Sequence, residues 1–240
     1  MTELLYQTDC YLQSCEANVI YVDEQNHGLI LDRTVFYPGG GGQPHDKGFI
    51  EIEGKMLTVE RFLRGEFGIV HVLQEVDTLP AVGIKVNCQL DWGYRYQLMR
   101  THTAMHILCG VIFRDYGATV TGGDMEPLKG RMDFEFESLH KDLVHIIEEA
   151  INLEVANARP VRTYILPRDK AFEIPDLIRT KINLLPPNIQ QVRVVEIEGL
   201  DIQADGGTHV RNTLEVGKIH IVDYKSKGKI NKRIYVELEP

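Results

Sequence analysis

The chain has 240 residues, 43% of them apolar and 25% charged, which is ordinary for a folded protein of one large domain or two small ones. With 26 Lys and Arg against 35 Asp and Glu the formal net charge is −9, which excludes a surface that binds polyanions everywhere and leaves room for a local basic patch. No apolar run approaches the roughly 20 residues that span a bilayer, and Met1-Thr2-Glu3-Leu4-Leu5 is not a basic leader, so no membrane partner and a cytoplasmic location are expected.

Residues 1–90 read as a β-rich, barrel-like domain. Val19–Val22 and Leu29–Leu31 flank the polar, glycine-ended segment 23–28, the chemistry of a hairpin connection. Strands at Gly48–Ile52, Met56–Phe62, Gly68–Leu73 and Ile84–Leu90 then follow at the short spacing of a small barrel or sandwich. At Asp91 the period changes. A helix is expected from Trp92 to about Tyr116, with Asp91 as its N-cap and Gly117 just past its end. A second helix is expected from Ser138 to Ala158, burying Leu139, Leu143, Ile146, Ile147, Ala150 and Leu153. Strands are expected at Gly130–Phe136, Val161–Leu166, Gln191–Ile197, Gly217–Tyr224 and Ile230–Leu238, the last two joined by the lysine-rich tip 225–229. The mixture predicts an α+β protein in which residues 91–240 form a two-layer α/β domain.

Four scattered cysteines without a CxxC pair exclude a disulfide framework and a cysteine-only zinc site. Cys109, one turn past His106, reads as a buried thiol rather than a ligand. The histidines say more. His102-Thr103-Ala104-Met105-His106 puts two imidazoles on one helical face, within reach of one metal ion, although two core histidines would show the same spacing. Thr103 stands where a metalloprotease needs glutamate, so a protease reading fails. About a hundred residues later, Asp205-Gly206-Gly207-Thr208-His209 offers an oxygen and a nitrogen donor around a sharp turn, or simply an Asx-type turn. Together the two segments supply three histidines and an aspartate, a set that can hold Zn²⁺. The third feature is Thr34 followed by Tyr37-Pro38-Gly39-Gly40-Gly41-Gly42-Gln43-Pro44. Four consecutive glycines cost roughly 0.5–1 kcal/mol each in regular structure, which implies a use for their backbone; no Gly-Lys-Ser/Thr ending follows, so it is not a phosphate-binding P-loop.

The HxxxH helix, the late GGTH turn and the upstream GGGQP loop, in that combination, resemble the alanyl-tRNA editing family. That family comprises the free-standing AlaX proteins and the editing domain of alanyl-tRNA synthetase, and the resemblance runs from about Thr34 to Asn212. A barrel-like domain ahead of the HxxxH segment is similar to the medium-length AlaX class. The resemblance implies a hydrolase, Zn²⁺ as cofactor, and as partner tRNA(Ala) mischarged with serine or glycine. It implies metal ligation by His102, His106 and His209. Asp205 stands where the family pattern has cysteine, and either completes the set or stands behind it, leaving three histidines and a water. It further implies that Thr34 recognises the serine hydroxyl; beside it, Gln43 and the amides of Gly39, Gly40, Gly41 and Gly42 are expected to line the pocket mouth, and Thr208 to hold a water. A pocket for alanine rejects an added hydroxyl poorly, which is why a second, hydrolytic sieve is needed.

For tRNA binding the sequence offers Lys227 and Lys229, within a C-terminal group that also holds Lys218, Lys225, Lys232 and Arg233, and more loosely Arg95 and Arg100 on the histidine helix. Two other classes remain open on the residues: a metal-dependent hydrolase of a small molecule, and a non-catalytic zinc-stabilised RNA-binding module.

Overall fold

A computed structural model of the chain describes residues 2–74, 78–180, 185 and 187–240. The protein is α+β and divides into two compact units, Met1–Gly40 with Pro44–Tyr96, and Gly41–Gln43 with Gln97–Pro240.

The first unit contains β1 (Glu3–Leu4), β2 (Ser14–Asp23), β3 (Gly28–Leu31), β4 (Arg33–Thr34), β5 (Gly48–Ile52), β6 (Lys55–Gly65), β7 (Gly68–Leu73) and β8 (Lys85–Leu90). Six of these pair in a closed barrel, in the order β2-β3-β7-β6-β5-β8, so that no edge of the circuit is left unpaired. The interior is packed by Val19, Leu29, Leu31, Val35, Phe36, Ile50, Val59, Leu73, Val86 and Cys88. The short strands β1 and β4 pair in parallel outside it.

Helix α1 (Trp92–Tyr116) begins where the Asp91 carboxylate accepts the Tyr94 amide at 3.0 Å, and it stops at Gly117, whose φ is +65°. Leu98, Met99, Ala104, Met105, Ile107, Leu108, Val111 and Ile112 are all buried, so the helix is enclosed on most sides, as its dense apolar sequence requires. The chain continues through β9 (Val120–Glu126), β10 (Lys129–Glu135), α2 (Lys141–Ala156), β11 (Val161–Pro167), the single turn α3 (Arg168–Ala171), β12 (Gln191–Ile197), β13 (Asp201–Ala204), β14 (Ile219–Ser226) and β15 (Asn231–Leu238). These strands form two antiparallel sheets, β14-β15-β10-β9 and β11-β12-β13.

Helix α2 departs from expectation on two counts. It starts at Lys141, because His140 caps it by accepting the Leu143 amide on Nδ1. The face it buries is Val144, Ile147, Ile151 and Val155, while Ile146 and Leu153 are exposed. The helix carries two apolar stripes at the same period, and polar anchoring selects one of them: Glu148 and Asn152 bond the backbone of Ile221 and Ile219 on β14. Among the described residues, no helix is long and apolar enough to cross a membrane.

Candidate metal centre

The centre lies in the second unit, built by α1 and the segment after β13. One helical turn separates His102 from His106, so their rings leave the same face with centroids 5.1 Å apart. After β13 the chain turns at Gly206-Gly207 and brings His209 against them, 4.2 Å from the His102 ring and 4.7 Å from that of His106. The Asp205 carboxylate fastens this turn by accepting the Gly207 amide at 3.1 Å. A Cβ at position 207 would run into the His102 ring and the Gln43 amide, so only glycine fits.

One potential ligand atom from each of His102, His106, Asp205 and His209 lies within 4.8 Å of the others. Every ring is also held from behind. Nδ1 of His102 is 3.0 Å from Gln43 Oε1, Nδ1 of His106 is 3.0 Å from Asp201 Oδ2, and Nδ1 of His209 is 3.1 Å from Thr103 Oγ1. Three Nε2 atoms are thereby turned toward one point, the arrangement that orients imidazole ligands in metal sites. Asp205 faces the same point, with Oδ2 2.8 Å from His209 Nε2 and Oδ1 3.8 Å from His102 Nε2. Asp205 therefore stands among the donors, and Asp201 is the carboxylate behind a ring.

The electrostatics agree. Burial drives His102 down to about 4, with Asp205 only partly opposing it. Burial, reinforced by the positive fields of the other two histidines, also holds His209 well below its ordinary value. For His106 burial is outweighed by Asp201 and Asp205, and its proton affinity rises. Burial alone would raise Asp205, yet the three imidazoles hold it well below the carboxylate range. An ionised Asp205 carboxylate beside two imidazoles that resist protonation, His102 and His209, suits a divalent transition metal, and three nitrogens with one oxygen make a coherent donor set. The residues fit a metal ion.

Gln43 belongs to the same cluster. Its Nε2 donates to Thr208 Oγ1 at 2.9 Å and its Oε1 accepts the Thr208 amide at 2.9 Å, so each side chain fixes the other. Gly39, Gly40, Gly41 and Gly42 all have positive φ, from +58° to +134°, a region that side chains rarely enter. That backbone explains the run of four glycines. In the first unit, Thr34 is buried and bonded to His71 Nε2 at 2.8 Å.

One basic residue is corrected. Arg95 is not at the surface: it is fully buried in the first unit, paired in fork fashion with Asp46 and donating to the Cys10 and Val35 carbonyls. Arg100 is half-buried and donates to the carbonyls of Val216 and Glu239. The lysine group also shrinks. Lys232 is buried and braces the Gly228 and Lys229 carbonyls, Arg233 pairs with Asp133, and Lys225 pairs with Asp223, while Lys227 and Lys229 are exposed at the β14–β15 tip. Cys109 is buried, its thiol pushed up by desolvation, and its Sγ accepts from Gln203 at 3.4 Å.

Sequence reasoning missed Thr103, Asp201 and His71. Thr103 lay inside the HxxxH segment and was weighed only as the residue that is not glutamate. Asp201 opens β13 and meets His106 only through folding, so nothing local in the sequence marks it.

Residues 192–235, which carry Asp205 and His209, match the family described as the threonyl and alanyl tRNA synthetase second additional domain. Residues 9–94 match the class II (A) tRNA synthetases. A β-rich unit followed by a histidine and aspartate centre, with these matches, places the chain among proteins related to the tRNA synthetases. The chain is 42% identical over 243 residues to the alanyl-tRNA editing protein AlaX-M of Saccharolobus solfataricus, covering all of both. It is 38% identical to the protein of that name from Methanosarcina acetivorans, covering 99% of each. Alanine–tRNA ligase of Saccharolobus islandicus is 35% identical over 230 residues, 92% of this chain and 25% of the ligase. The chain belongs to the AlaX-M family of alanyl-tRNA editing proteins.

Proposed function

We propose that this chain is a trans-editing aminoacyl-tRNA hydrolase of the cytoplasm that removes serine from mischarged tRNA(Ala), with glycine as the further candidate substrate. The observation that carries the reading is the convergence of three imidazole Nε2 atoms and the Asp205 carboxylate on one point, each ring secured from behind. The resident ion is Zn²⁺, with His102, His106, His209 and Asp205 as ligands; when bound it supplies a Lewis acid for the ester carbonyl and lowers the pKa of water.

The chain's own side chains do the rest. Gln43 holds His102 and Thr208 in one orientation, which keeps a ligand and a pocket hydroxyl in register. Thr34 reads the serine hydroxyl with the one lone pair that its bonds to His71 and Phe36 leave, so the correct alanine forgoes a hydrogen bond worth about 0.5–1.5 kcal/mol. The backbone of the glycine run contacts the 3′ end of the tRNA, and Lys227 and Lys229 contact its phosphates. The deciding experiment compares deacylation of Ser-, Gly- and Ala-tRNA(Ala) with and without chelator. The reading expects Ser-tRNA(Ala) to be cleaved fastest, with activity lost on chelation and restored by zinc. Full activity in metal-free protein, or equal rates for serine and alanine, defeats it.

A further inference from the structure

The metal centre makes no use of one buried histidine. His71, on β7 inside the barrel unit, is fully buried, with Nδ1 3.1 Å from the Leu29 carbonyl oxygen and Nε2 2.8 Å from Thr34 Oγ1. A carbonyl oxygen only accepts, so Nδ1 carries the ring proton. Burial pushes His71 down to about 4, which keeps the ring neutral near pH 7, and a neutral ring with hydrogen on Nδ1 has a bare Nε2. Phe36 and Phe62 stand edge-on against the ring at 5.8 and 5.3 Å between centroids, which opposes the flip that would exchange its nitrogens.

The Thr34 hydroxyl is therefore the donor to His71. Its oxygen also accepts the Phe36 amide at 3.2 Å. A threonine hydroxyl has one proton and two lone pairs. The proton and one pair are committed within the first unit, which leaves a single lone pair.

We propose that His71 is a positioning residue for amino-acid selection: it takes the Thr34 proton, so that Thr34 presents an acceptor only and selects a substrate side chain that donates a hydrogen bond from the atom on Cβ. The inference rests on the reading of Thr34 as the serine-recognising residue. Alanine and glycine have no such donor, so one fixed proton position disfavours both.

The test uses the full-length, metal-loaded protein and the ratio of kcat/KM for Ser- and Ala-tRNA(Ala). His71→Leu, which frees the Thr34 proton to rotate, is expected to lower the ratio at least tenfold, whereas His71→Gln, whose side-chain carbonyl accepts that proton, retains most of it. Long-range ¹H–¹⁵N spectra of the wild-type protein, with the His71 signals assigned by their loss in His71→Gln, should show a protonated Nδ1 and a bare Nε2 at pH 7. That measurement holds even if the leucine variant fails to fold. A protonated Nε2, or wild-type ratios in both folded His71 variants while Thr34→Val loses selectivity, overturns the role of His71 and leaves that of Thr34 standing. An unchanged ratio in Thr34→Val removes both.

Discussion

Asp201 Oδ2 stands 3.0 Å from Nδ1 of His106, on the side of the ring away from the other histidines' Nε2 atoms. The same oxygen accepts from Gln203 Nε2 at 2.7 Å, and Oδ1 lies 3.4 Å from Arg179 Nε, so the carboxylate is fixed on three sides although it is buried. A carboxylate behind an imidazole orients the ring and strengthens it as a ligand. Asp201→Asn keeps the shape and removes the charge. The expected result is a folded protein whose metal affinity falls roughly 10–100-fold, read by competition with a chelator of known strength. Unchanged affinity would separate Asp201 from the centre.

His71 gives the stability of the protein a pH dependence of known sign. The folded value is about 4 against 6.5 for the free side chain, so between these values the unfolded chain binds a proton that the native ring refuses. Stability is therefore full above about 6.5, declines as the pH falls, and levels off below about 4. The displacement corresponds to roughly 3 kcal/mol for this fully buried group. Urea midpoints at pH 7 and pH 4.5 should differ more in the wild-type protein than in His71→Gln. Equal differences would show that the ring takes up its proton in the folded state without cost.

How much of this was legible varies by residue. The ends of α1 were, because Asp91 and Gly117 carry the local chemistry of caps and need nothing distant. So was the kinship of His102 with His106, since helical spacing alone aligns them. The buried stripe of α2 was not, because two apolar stripes share one helical period and β14 decides between them. Strand β9 was hidden by Gly122, Gly123 and Asp124, poor strand formers that are held in place by pairing with β10. Arg95 read as a loose candidate for tRNA binding, because Asp46, which folding brings to it, lies 49 residues away. The partners behind the rings are equally nonlocal: Asp201 lies 95 residues from His106, and Thr103 lies 106 from His209.

The Arg95–Asp46 pair makes a prediction of its own. Both side chains are fully buried, and the guanidinium also satisfies two backbone carbonyls. Removing one partner leaves an uncompensated charge in the barrel unit, at a cost of about 3–5 kcal/mol. Arg95→Met should therefore lower the urea midpoint sharply. The double variant Arg95→Met/Asp46→Leu should recover part of the loss, since no lone charge remains. If both variants match the wild-type midpoint, the pair contributes nothing to folding.

Lys227 and Lys229 carry the remaining argument about tRNA. A chain with net charge −9 repels a polyanion overall, so its affinity depends on the few cations that phosphates can reach. Of the C-terminal basic residues, Lys225, Lys232 and Arg233 are engaged by Asp223, by the Gly228 and Lys229 carbonyls, and by Asp133 respectively. Lys227 and Lys229 are exposed at the hairpin tip. Each phosphate contact releases counterions and adds about 0.7–0.9 to the slope of log affinity against log salt. Lys227→Glu/Lys229→Glu should therefore weaken tRNA binding at low salt and flatten that slope by between one and two, with the metal content unchanged. Binding measured by fluorescence anisotropy across a salt series gives the answer: a parallel line at unchanged affinity would mean that the tip is merely solvated and that the tRNA lies elsewhere on the surface.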